Sequence, residues 1–391
     1  MPTLPAGPRK PLRILTFLHS FEPGGVERVA LRLHAAWTAQ GVDSRLVMGR
    51  LDGAMRREWP AIAPEVLDSH GVPTAAWETL WMISRLPGAI RRHRPDVLFC
   101  AGNSYTIVSV AMKLLLGRRC PPIIAKISND LYRLDLPAPV RPFYRAWLRI
   151  QGRMVDRVVG MAPPMRVELR EMMHVDDARI AIVDDPSLDA ADIDRLAAAR
   201  NAAAPERTAR PGRHFLAIGR LAAQKNFALL LDAFARMAGP DDRLAIIGEG
   251  GQRKALEAQV ARLGLASRVR LPGHVNPLDR ELALADALVL SSEYEGVPAV
   301  VAEGLAAGLP IVTTRCSVSM EDMLGNGQFG ILVPRGDAGA LAQAMDSVAT
   351  LPFDAAAARD HAHRFTVEIA SRAYLAAIQA LVPAAAGSLP I

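Results

Sequence analysis

Cysteine, aromatic residues and long apolar runs are all scarce in this chain of 391 residues. The three cysteines, Cys100, Cys120 and Cys316, show no CxxC spacing, which excludes a cysteine metal ribbon or a disulfide framework and favours a reducing cytosol. No stretch approaches about 18 uninterrupted apolar residues, so we expect no transmembrane helix. Residues 1–10 have no apolar core, so we expect no signal peptide there.

The chain is rich in apolar residues. Half of the residues are apolar and 22% are charged, which excludes general disorder and allows large cores. Aromatic residues make up only 5%, whereas alanine, leucine and valine are abundant. This mixture favours helices alternating with buried parallel strands, and the length favours two domains.

The net charge of +6 is unevenly distributed. Residues 1–183 have a balance of +10, whereas residues 184–391 have a balance of −4. The excess in the first half is either an ordinary solvated surface or an attraction for something anionic, such as phosphate groups or a membrane surface. We expect no nucleic-acid partner, because no compact Lys/Arg run or recognised nucleic-acid module occurs.

Apolar runs and amphipathic segments alternate along both halves of the chain. A buried strand at 13–18, a glycine turn and an amphipathic segment at 26–40 open the first half, and the same rhythm restarts at residue 215. Residues 184–213 look like a connection with a short helix inside it. The pattern predicts α/β architecture with two Rossmann-like doubly wound domains facing a central cleft, where their ligands bind.

The domain boundaries follow from the same pattern. We expect an N-terminal domain at 1–185 that serves the acceptor and a C-terminal domain at 186–363 that serves a donor. A final helix, at about 364–391, is expected to pack back on the first domain.

Two glutamates flank the start of a predicted helix. Glu295 lies in the loop after a buried strand, Pro298 suits the first helical turn, and Glu303 follows in the second turn before Gly308 ends the helix. Carboxylates at such a place accept hydrogen bonds from sugar or ribose hydroxyls, and the helix N-terminus attracts phosphate. Two solvated acids on a surface helix are the alternative.

Two cations follow another strand, in the segment from Gly219 to Asn226. Arg220 and Lys225 lie where fixed positive charge can stabilise a leaving diphosphate without a metal. Two surface cations on a loop are the alternative.

These segments resemble the retaining glycosyltransferases of family 4, which have the GT-B fold. The chain matches the family's GRLxxQKN motif at 219–226 and its EGVP…EGLAAGLPIV context at 295–312. The resemblance is specific from 215 to about 335 and weaker before. It implies that Glu303 holds the ribose hydroxyls, that Glu295 contacts the donor sugar, and that Arg220 and Lys225 contact the diphosphate.

The resemblance also implies where backbone meets the donor. The turn at Gly24 and Gly25 is expected to close over it, although it does not fit GxGxxG. Further expected contacts with the donor or its nucleotide are Gly248, Gly250, His274, Val275, Gly296, Val297 and Pro298. Gly304 is a departure, because the family more often has alanine there, and we expect little consequence.

The acceptor side is less well defined by the sequence. Many relatives have a histidine just after the strand that here ends at Cys100, where this chain has Asn103. Ser128 and His19 are the other candidates. No metal-binding cluster follows a buried strand, so we expect catalysis without a metal or other cofactor.

Helical segments that mix aromatic residues with arginine suggest the acceptor class. Trp77, Trp81, Phe143, Tyr144 and Trp147 lie among arginines, so the aromatic rings either form core or rest on anionic lipid headgroups.

The resemblance therefore implies a metal-independent hexosyltransferase. It would use a nucleoside-diphosphate sugar, by family frequency a UDP-sugar, and a glycan or lipid-linked acceptor. Its place would be the cytoplasm, peripheral to the inner face of the membrane. A GT-B sugar-nucleotide epimerase and a non-catalytic nucleotide-sugar-binding protein remain alternatives.

Overall fold

The structure, a computed structural model, describes residues 11–22, 24–67, 74–133, 136–237 and 239–382. The chain divides into two compact units, residues 1–186 with 367–391, and residues 187–366. Each unit contains one sheet in which every strand pairing is parallel. The predicted class, two Rossmann-like α/β domains, is confirmed.

The sheet of the first unit has seven strands in the order β3-β2-β1-β4-β5-β6-β7. The chain builds outward from β1 in one direction and then from β4 in the other, so the strand order reverses between these two central strands. Loops at the carboxyl end of such a pair form the usual ligand site of a doubly wound sheet. The strands are β1 (Arg13–Leu18), β2 (Asp43–Met48), β3 (Glu65–Val66), β4 (Val97–Cys100), β5 (Ile123–Lys126), β6 (Arg157–Gly160) and β7 (Ile180–Ile182).

Helices connect these strands and cover them. They are α1 (Gly25–Ala39), α2 (Glu78–His93), α3 (Thr106–Leu116), α4 (Arg141–Met154) and α5 (Met165–Met173). The sequence pattern indicated the first four but did not indicate α5 or the two-residue strand β3. All three cysteines of the chain are free and buried.

The sheet of the second unit has six strands in the order β10-β9-β8-β11-β12-β13, so its order reverses between β8 and β11. Successive residues of β8 belong to different apolar clusters: Phe215 lies in one cluster and Leu216 lies in the other. Both faces of the sheet are therefore buried. The strands are β8 (His214–Ile218), β9 (Arg243–Ile247), β10 (Val269–Gly273), β11 (Ala287–Leu290), β12 (Ile311–Thr314) and β13 (Gly330–Val333).

The helices of the second unit include a pair that the sequence analysis assigned to a connection. They are α6 (Ala190–Ala202), α7 (Ala204–Ala209), α8 (Phe227–Arg236), α9 (Arg253–Arg262), α10 (Asp279–Leu284), α11 (Ala299–Ala306), α12 (Met320–Met323), α13 (Ala338–Ser347) and α14 (Ala355–Ala362). The prediction of a connection with a short helix at 184–213 was wrong in extent. Helix α6 has 13 residues and buries Ile193 and Leu196 in the core of the second unit.

The last helix, α15 (Val367–Gln379), belongs to the first unit and packs against α1. Its Tyr374 ring lies 6.3 Å from Trp37 of α1 and 5.4 Å from Phe99 of β4, centroid to centroid. The helix begins later than the expected residue 364, because 363–365 form a 3-10 turn in the second unit. The end of the expected range, 383–391, lies outside the described residues. Within the described ranges, no helix has both the length and the apolar character needed to span a membrane.

Candidate functional site

Two candidates in the second unit form an ion pair at the point where the strand order of its sheet reverses. The Lys225 ammonium, after β8, lies 2.5 Å from Oε1 of Glu295, after β11. The Ser292 hydroxyl donates to the same carboxylate oxygen at 2.7 Å, and the Ser291 hydroxyl donates to the Lys225 carbonyl at 2.9 Å. The two charged side chains are only 18% and 10% exposed. The structure therefore brings together two residues that are 70 positions apart.

The residues on either side of Lys225 also hold the β11 loop. The Gln224 side-chain amide donates to the Tyr294 carbonyl at 2.8 Å. The Asn226 amide donates to the Glu293 carboxylate, while its oxygen caps α8 by accepting from the Leu229 N–H at 3.2 Å. The side chains of residues 224–226 thus all bond to residues 293–295, across the two central strands β8 and β11. Sequence reasoning included this segment in a motif but did not foresee the pairing.

Two glycines of the turn after β9 pack closely against the backbone of the turn after β8. A Cβ atom at Gly248 would lie 2.0 Å from the carbonyl oxygen of Gly219, and one at Gly250 would lie 2.4 Å from that of Leu221. Both turn glycines have positive φ, +141° and +158°. Side chains are excluded at these two positions, so the turn after β9 presents bare backbone there, at the carboxyl edge of the sheet.

Arg220 and His274 lie on exposed loops after β8 and β10, and Val275 is half-buried beside His274. The Arg220 carbonyl accepts from the Ala222 N–H at 2.8 Å, but its side chain makes no hydrogen bond or ion pair with any residue that the structure describes. It is therefore an exposed and unpaired cation, five residues before Lys225. Within the described residues, no hydrogen bond or ion pair links the side chain of Arg220 or His274 to another candidate.

Glu303 lies on helix α11, half-buried, in the second turn as predicted. Pro298 is the residue before the helix, not in its first turn: its φ of −72° and ψ of 115° are extended, and its carbonyl accepts from the Val301 N–H at 3.0 Å. The expectation for Pro298 was therefore wrong by one position. Gly296 and Pro298 are buried, and Val297 is half-buried. Gly308 ends the helix with φ of +69°.

Gly304 is packed more tightly than the sequence suggested. An added Cβ would lie 2.8 Å from Cδ1 of Ile311 and 2.9 Å from Cδ2 of Leu288. The side chains of β11 and β12 therefore fill the space that an alanine methyl group would take.

In the first unit, the structure brings two acceptor-side candidates together. The Asn103 side-chain oxygen accepts from the Ser128 N–H at 2.7 Å and from the Ser128 hydroxyl at 3.2 Å. These residues follow the neighbouring strands β4 and β5. Asn103 thus ties two loops together at the carboxyl edge of the sheet.

His19, the third acceptor-side candidate, follows β1 and lies in a network of its own. Its ring packs on Tyr105, with centroids 4.7 Å apart, and the Tyr105 hydroxyl donates to Glu27 at 2.7 Å. Nδ1 of His19 lies 3.4 Å from Glu78, which also accepts from Arg50 at 3.0 Å. Burial lowers the pKa of His19, although Glu78 and Glu27 act to raise it. Sequence reasoning missed Tyr105 and Glu78, because no local pattern links segments so far apart.

The two glycines of the first turn differ in their surroundings. A Cβ at Gly24 would lie 2.1 Å from the Glu27 carboxylate, whereas a Cβ at Gly25 would meet nothing within 4 Å. Gly24 therefore accommodates Glu27, while Gly25 opens helix α1 without a steric requirement for glycine. Pro23 lies outside the described residues.

A metal site is not evident in this geometry. Among the residues that the structure describes, no three His, Cys, Asp or Glu side chains are grouped so that they could hold a metal ion.

Comparison with known proteins assigns both halves of the chain to glycosyltransferase families. Residues 23–184 match the family model described as Glycosyltransferase Family 4, and residues 212–350 match the one described as Glycosyl transferases group 1. Together these models cover about three quarters of the chain, and each corresponds to one of the two units. The chain therefore belongs to the GT-B glycosyltransferases.

Individual relatives agree with this assignment. The chain is 25% identical over 334 residues to the lipopolysaccharide core biosynthesis glycosyltransferase LpsE of Rhizobium meliloti, covering 85% of this chain and 88% of that protein. It is 35% identical over 118 residues to an N-acetylgalactosaminyltransferase of Campylobacter jejuni named for a diphospho-undecaprenol substrate, covering 30% of this chain and 32% of that protein. HepE of Anabaena, solved with UDP, is similar in fold, with a TM-score of 0.74 and 17% identity over 94% of this chain and all of that one. HepE has also been solved with UDP-glucose.

Proposed function

We propose that this glycosyltransferase transfers a hexose from a UDP-sugar, with retention at the anomeric carbon, to a hydroxyl of a glycan or lipid-linked acceptor. The transfer needs no metal ion. It belongs to the assembly of cell-envelope polysaccharide or glycolipid on the cytoplasmic side of the membrane.

The ion pair between Lys225 and Glu295 carries this proposal. In a nucleoside-diphosphate sugar the anomeric carbon is bonded directly to the diphosphate. A cation for the diphosphate and a carboxylate for the sugar hydroxyls must therefore lie within a few ångströms of each other. The 2.5 Å pair at the reversal of strand order meets this requirement.

The remaining donor contacts are arranged around that pair in the proposed complex. Arg220, exposed and unengaged within the described chain, is available for the diphosphate as a planar fork. Glu303 accepts from the ribose hydroxyls, and the bare glycine turns allow the backbone to approach the phosphates. The loop at His274 and Val275 contacts the base through its backbone.

The reaction breaks the bond between the anomeric carbon and the diphosphate oxygen, and its electron pair leaves with the UDP. The acceptor hydroxyl oxygen forms the new bond on the same face of the sugar. Its proton passes to the departing diphosphate oxygen. Lys225 and Arg220 stabilise the negative charge that develops there.

The relatives support the proposed substrate classes. HepE binds UDP and UDP-glucose, which supports a UDP-hexose donor here. LpsE acts in lipopolysaccharide core biosynthesis, and the Campylobacter relative is named for a lipid-diphosphate substrate. On the acceptor side we propose that Asn103, Ser128 and His19 contact the incoming hydroxyl, at the carboxyl edge of the first unit's sheet.

The test is turnover of a panel of UDP-sugars, with lipid and oligosaccharide fractions as acceptors and EDTA present. Proton NMR of the product then reports its anomeric configuration. We expect UDP release and a product with the configuration of the donor. Lys225→Met should lower the rate by at least about 100-fold, whereas Lys254→Met, a change at an exposed lysine of α9, should not.

The same experiment separates the alternatives. An epimer of the sugar nucleotide without free UDP would indicate an epimerase. Tight donor binding without turnover with any acceptor would indicate a binding protein. Loss of activity in EDTA that added metal restores would contradict the metal-independent mechanism.

A further inference from the structure

Large exposed apolar side chains are concentrated on three helices of the first unit. Phe143 is 78% exposed and Leu114 is 67% exposed. Such a concentration marks an interaction surface, since single exposed residues need no explanation but a contiguous patch does. The set consists of Leu80 on α2, Ile107, Leu114 and Leu115 on α3, and Phe143 and Ile150 on α4.

These side chains share one face because of how the helices are connected. Helices α2, α3 and α4 lead into β4, β5 and β6, which lie side by side, so right-handed crossovers place all three on the same side of the sheet. Helix α3 packs against both α2 and α4. Residues Ile107 and Leu114, like Phe143 and Ile150, are seven positions apart and therefore project in the same direction.

The second unit provides a contrast within the same chain. Among its described residues, Tyr294 is the one large apolar or aromatic side chain that is exposed, and it lies in the candidate donor loop. Within the first unit other large apolar side chains are exposed too, such as Val167 on α5 at 53%, but the four that are at least 60% exposed all lie on α2, α3 and α4.

Arginine accompanies this apolar surface. Helix α4 contains four arginines and no acidic residue. Arg145, Arg149 and Arg153 repeat every four residues, are exposed, and form no ion pair within the described chain. Arg118 and Arg119 follow α3 and are likewise exposed and unpaired with described residues. We call these arginines and the six apolar residues the basic apolar face.

The face differs from what the aromatic residues of the sequence suggested. Trp81 is buried and stacks with Arg85 at 4.3 Å, and Tyr144 and Trp147 are half-buried. The most exposed residues of the face are mainly aliphatic. Several of them lie on α3, and the sequence pattern did not indicate that apolar residues of this helix are exposed.

We propose that the basic apolar face docks on an anionic phospholipid surface. The apolar side chains of α3 and α4 enter the boundary between headgroups and acyl chains, and the arginines contact lipid phosphates. A second copy of the chain is a poor occupant, because it would bring two sets of unpaired arginines together. Nucleic acid is also a poor occupant, because its phosphates give no partner to an exposed phenylalanine and five exposed aliphatic residues.

The test is co-sedimentation of the full chain with phosphatidylcholine vesicles that contain or lack phosphatidylglycerol. We expect binding only to the vesicles with phosphatidylglycerol, and weaker binding as salt is raised. Each surface arginine contributes about a fivefold change in partitioning. Arg145→Glu with Arg149→Glu should therefore lower binding at least about 25-fold.

The apolar half of the face has its own variant. Phe143→Ser with Ile150→Ser should reduce the binding that persists at high salt. Matched controls are Ile369→Ser, at an exposed isoleucine of α15, which packs against α1, and Arg236→Glu with Arg262→Glu in the second unit. The controls should bind as the unchanged protein does.

Several outcomes would overturn the proposal. They are equal binding to both vesicle types, binding that neither double variant changes, and loss of binding in the controls. A dimer that Phe143→Ser with Ile150→Ser dissociates would assign the face to self-association, and binding to DNA but not to vesicles would assign it to nucleic acid. Because no outcome depends on sugar transfer, failure of this proposal is distinguishable from failure of the proposed function.

Discussion

Replacing Lys225 should lower the unfolding free energy more than replacing Glu295, and a double-mutant cycle can measure how strongly the two residues depend on each other. Lys225→Met leaves a carboxylate that is 10% exposed, with the Ser292 hydroxyl as its remaining hydrogen-bond donor among the described residues. Breaking a buried pair in this way costs about 3 kcal/mol of unfolding free energy. Glu295→Gln keeps an oxygen that accepts both hydrogen bonds, and Lys225 can turn to solvent, so we expect a loss of about 1 kcal/mol.

The double variant has no uncompensated charge. It should therefore lose less than the sum of the two single losses, with a coupling of about 2 kcal/mol.

The assay can separate the two units. All five tryptophans lie within residues 37–147, so tryptophan fluorescence follows the first unit, and circular dichroism follows both. Urea unfolding of the four proteins should show the losses in the dichroism transition of the second unit, with the fluorescence transition unchanged. Additive losses, with coupling below about 0.5 kcal/mol, would refute the reasoning that these charges stabilise each other.

Three further predictions concern packing and pH. Gly248→Ala places a methyl group against the Gly219 carbonyl, so it should cost about 2 kcal/mol in urea unfolding and weaken nucleotide binding measured by calorimetry. Gly304→Ala gains about 1 kcal/mol of helix propensity but crowds two side chains of the sheet, so urea unfolding should show a net loss of about 1 kcal/mol, with nucleotide affinity unchanged. Glu168 is 2% exposed and accepts from the Leu131 N–H at 2.8 Å, and burial raises its pKa to about 7. The folded state therefore holds a proton that the unfolded state releases near pH 4.5, so stability falls as pH rises from about 4.5 to above 7, by about 3 kcal/mol in all. Glu168→Gln should flatten that profile in urea titrations followed by tryptophan fluorescence.

Each of these predictions has an opposing result. Unchanged stability of Gly248→Ala would mean that the turn relaxes freely. A gain in Gly304→Ala would mean that the core has spare room. If the unfolding free energy of Glu168→Gln fell with pH as steeply as that of the unchanged protein, a group other than Glu168 would be responsible for the pH dependence.

Much of the fold was predictable because both sheets are buried on both faces. Strands such as 97–100 and 287–290 read as continuous apolar runs between turn residues, so their positions were expected to within a residue or two. Helix α6 was assigned to a connection because its sequence is rich in alanine and arginine. Ile193 and Leu196 anchor it, but two apolar residues make a weak periodic signal.

The candidate site was also predictable only in part: its residues could be named from the sequence, but most of their contacts could not. Lys225 and Glu295 could be named from local motifs, whereas their contact could not, because strand order decides which loops meet. The same holds for Asn103 and Ser128. Glu78, which lies beside His19, has no motif around it at all.

The central claim is that the carboxyl edge of the second sheet binds a nucleoside diphosphate sugar, and nucleotide binding tests it most directly. We would measure UDP, GDP and ADP by calorimetry and by the urea transition of the second unit. The proteins are the unchanged chain, Glu303→Ala and the control Glu257→Ala on α9. UDP at about 100 times its dissociation constant should add about 2.7 kcal/mol of stability, with affinity reduced in Glu303→Ala and retained in Glu257→Ala. No stabilisation by any nucleotide, or equal affinity in Glu303→Ala, would contradict the account.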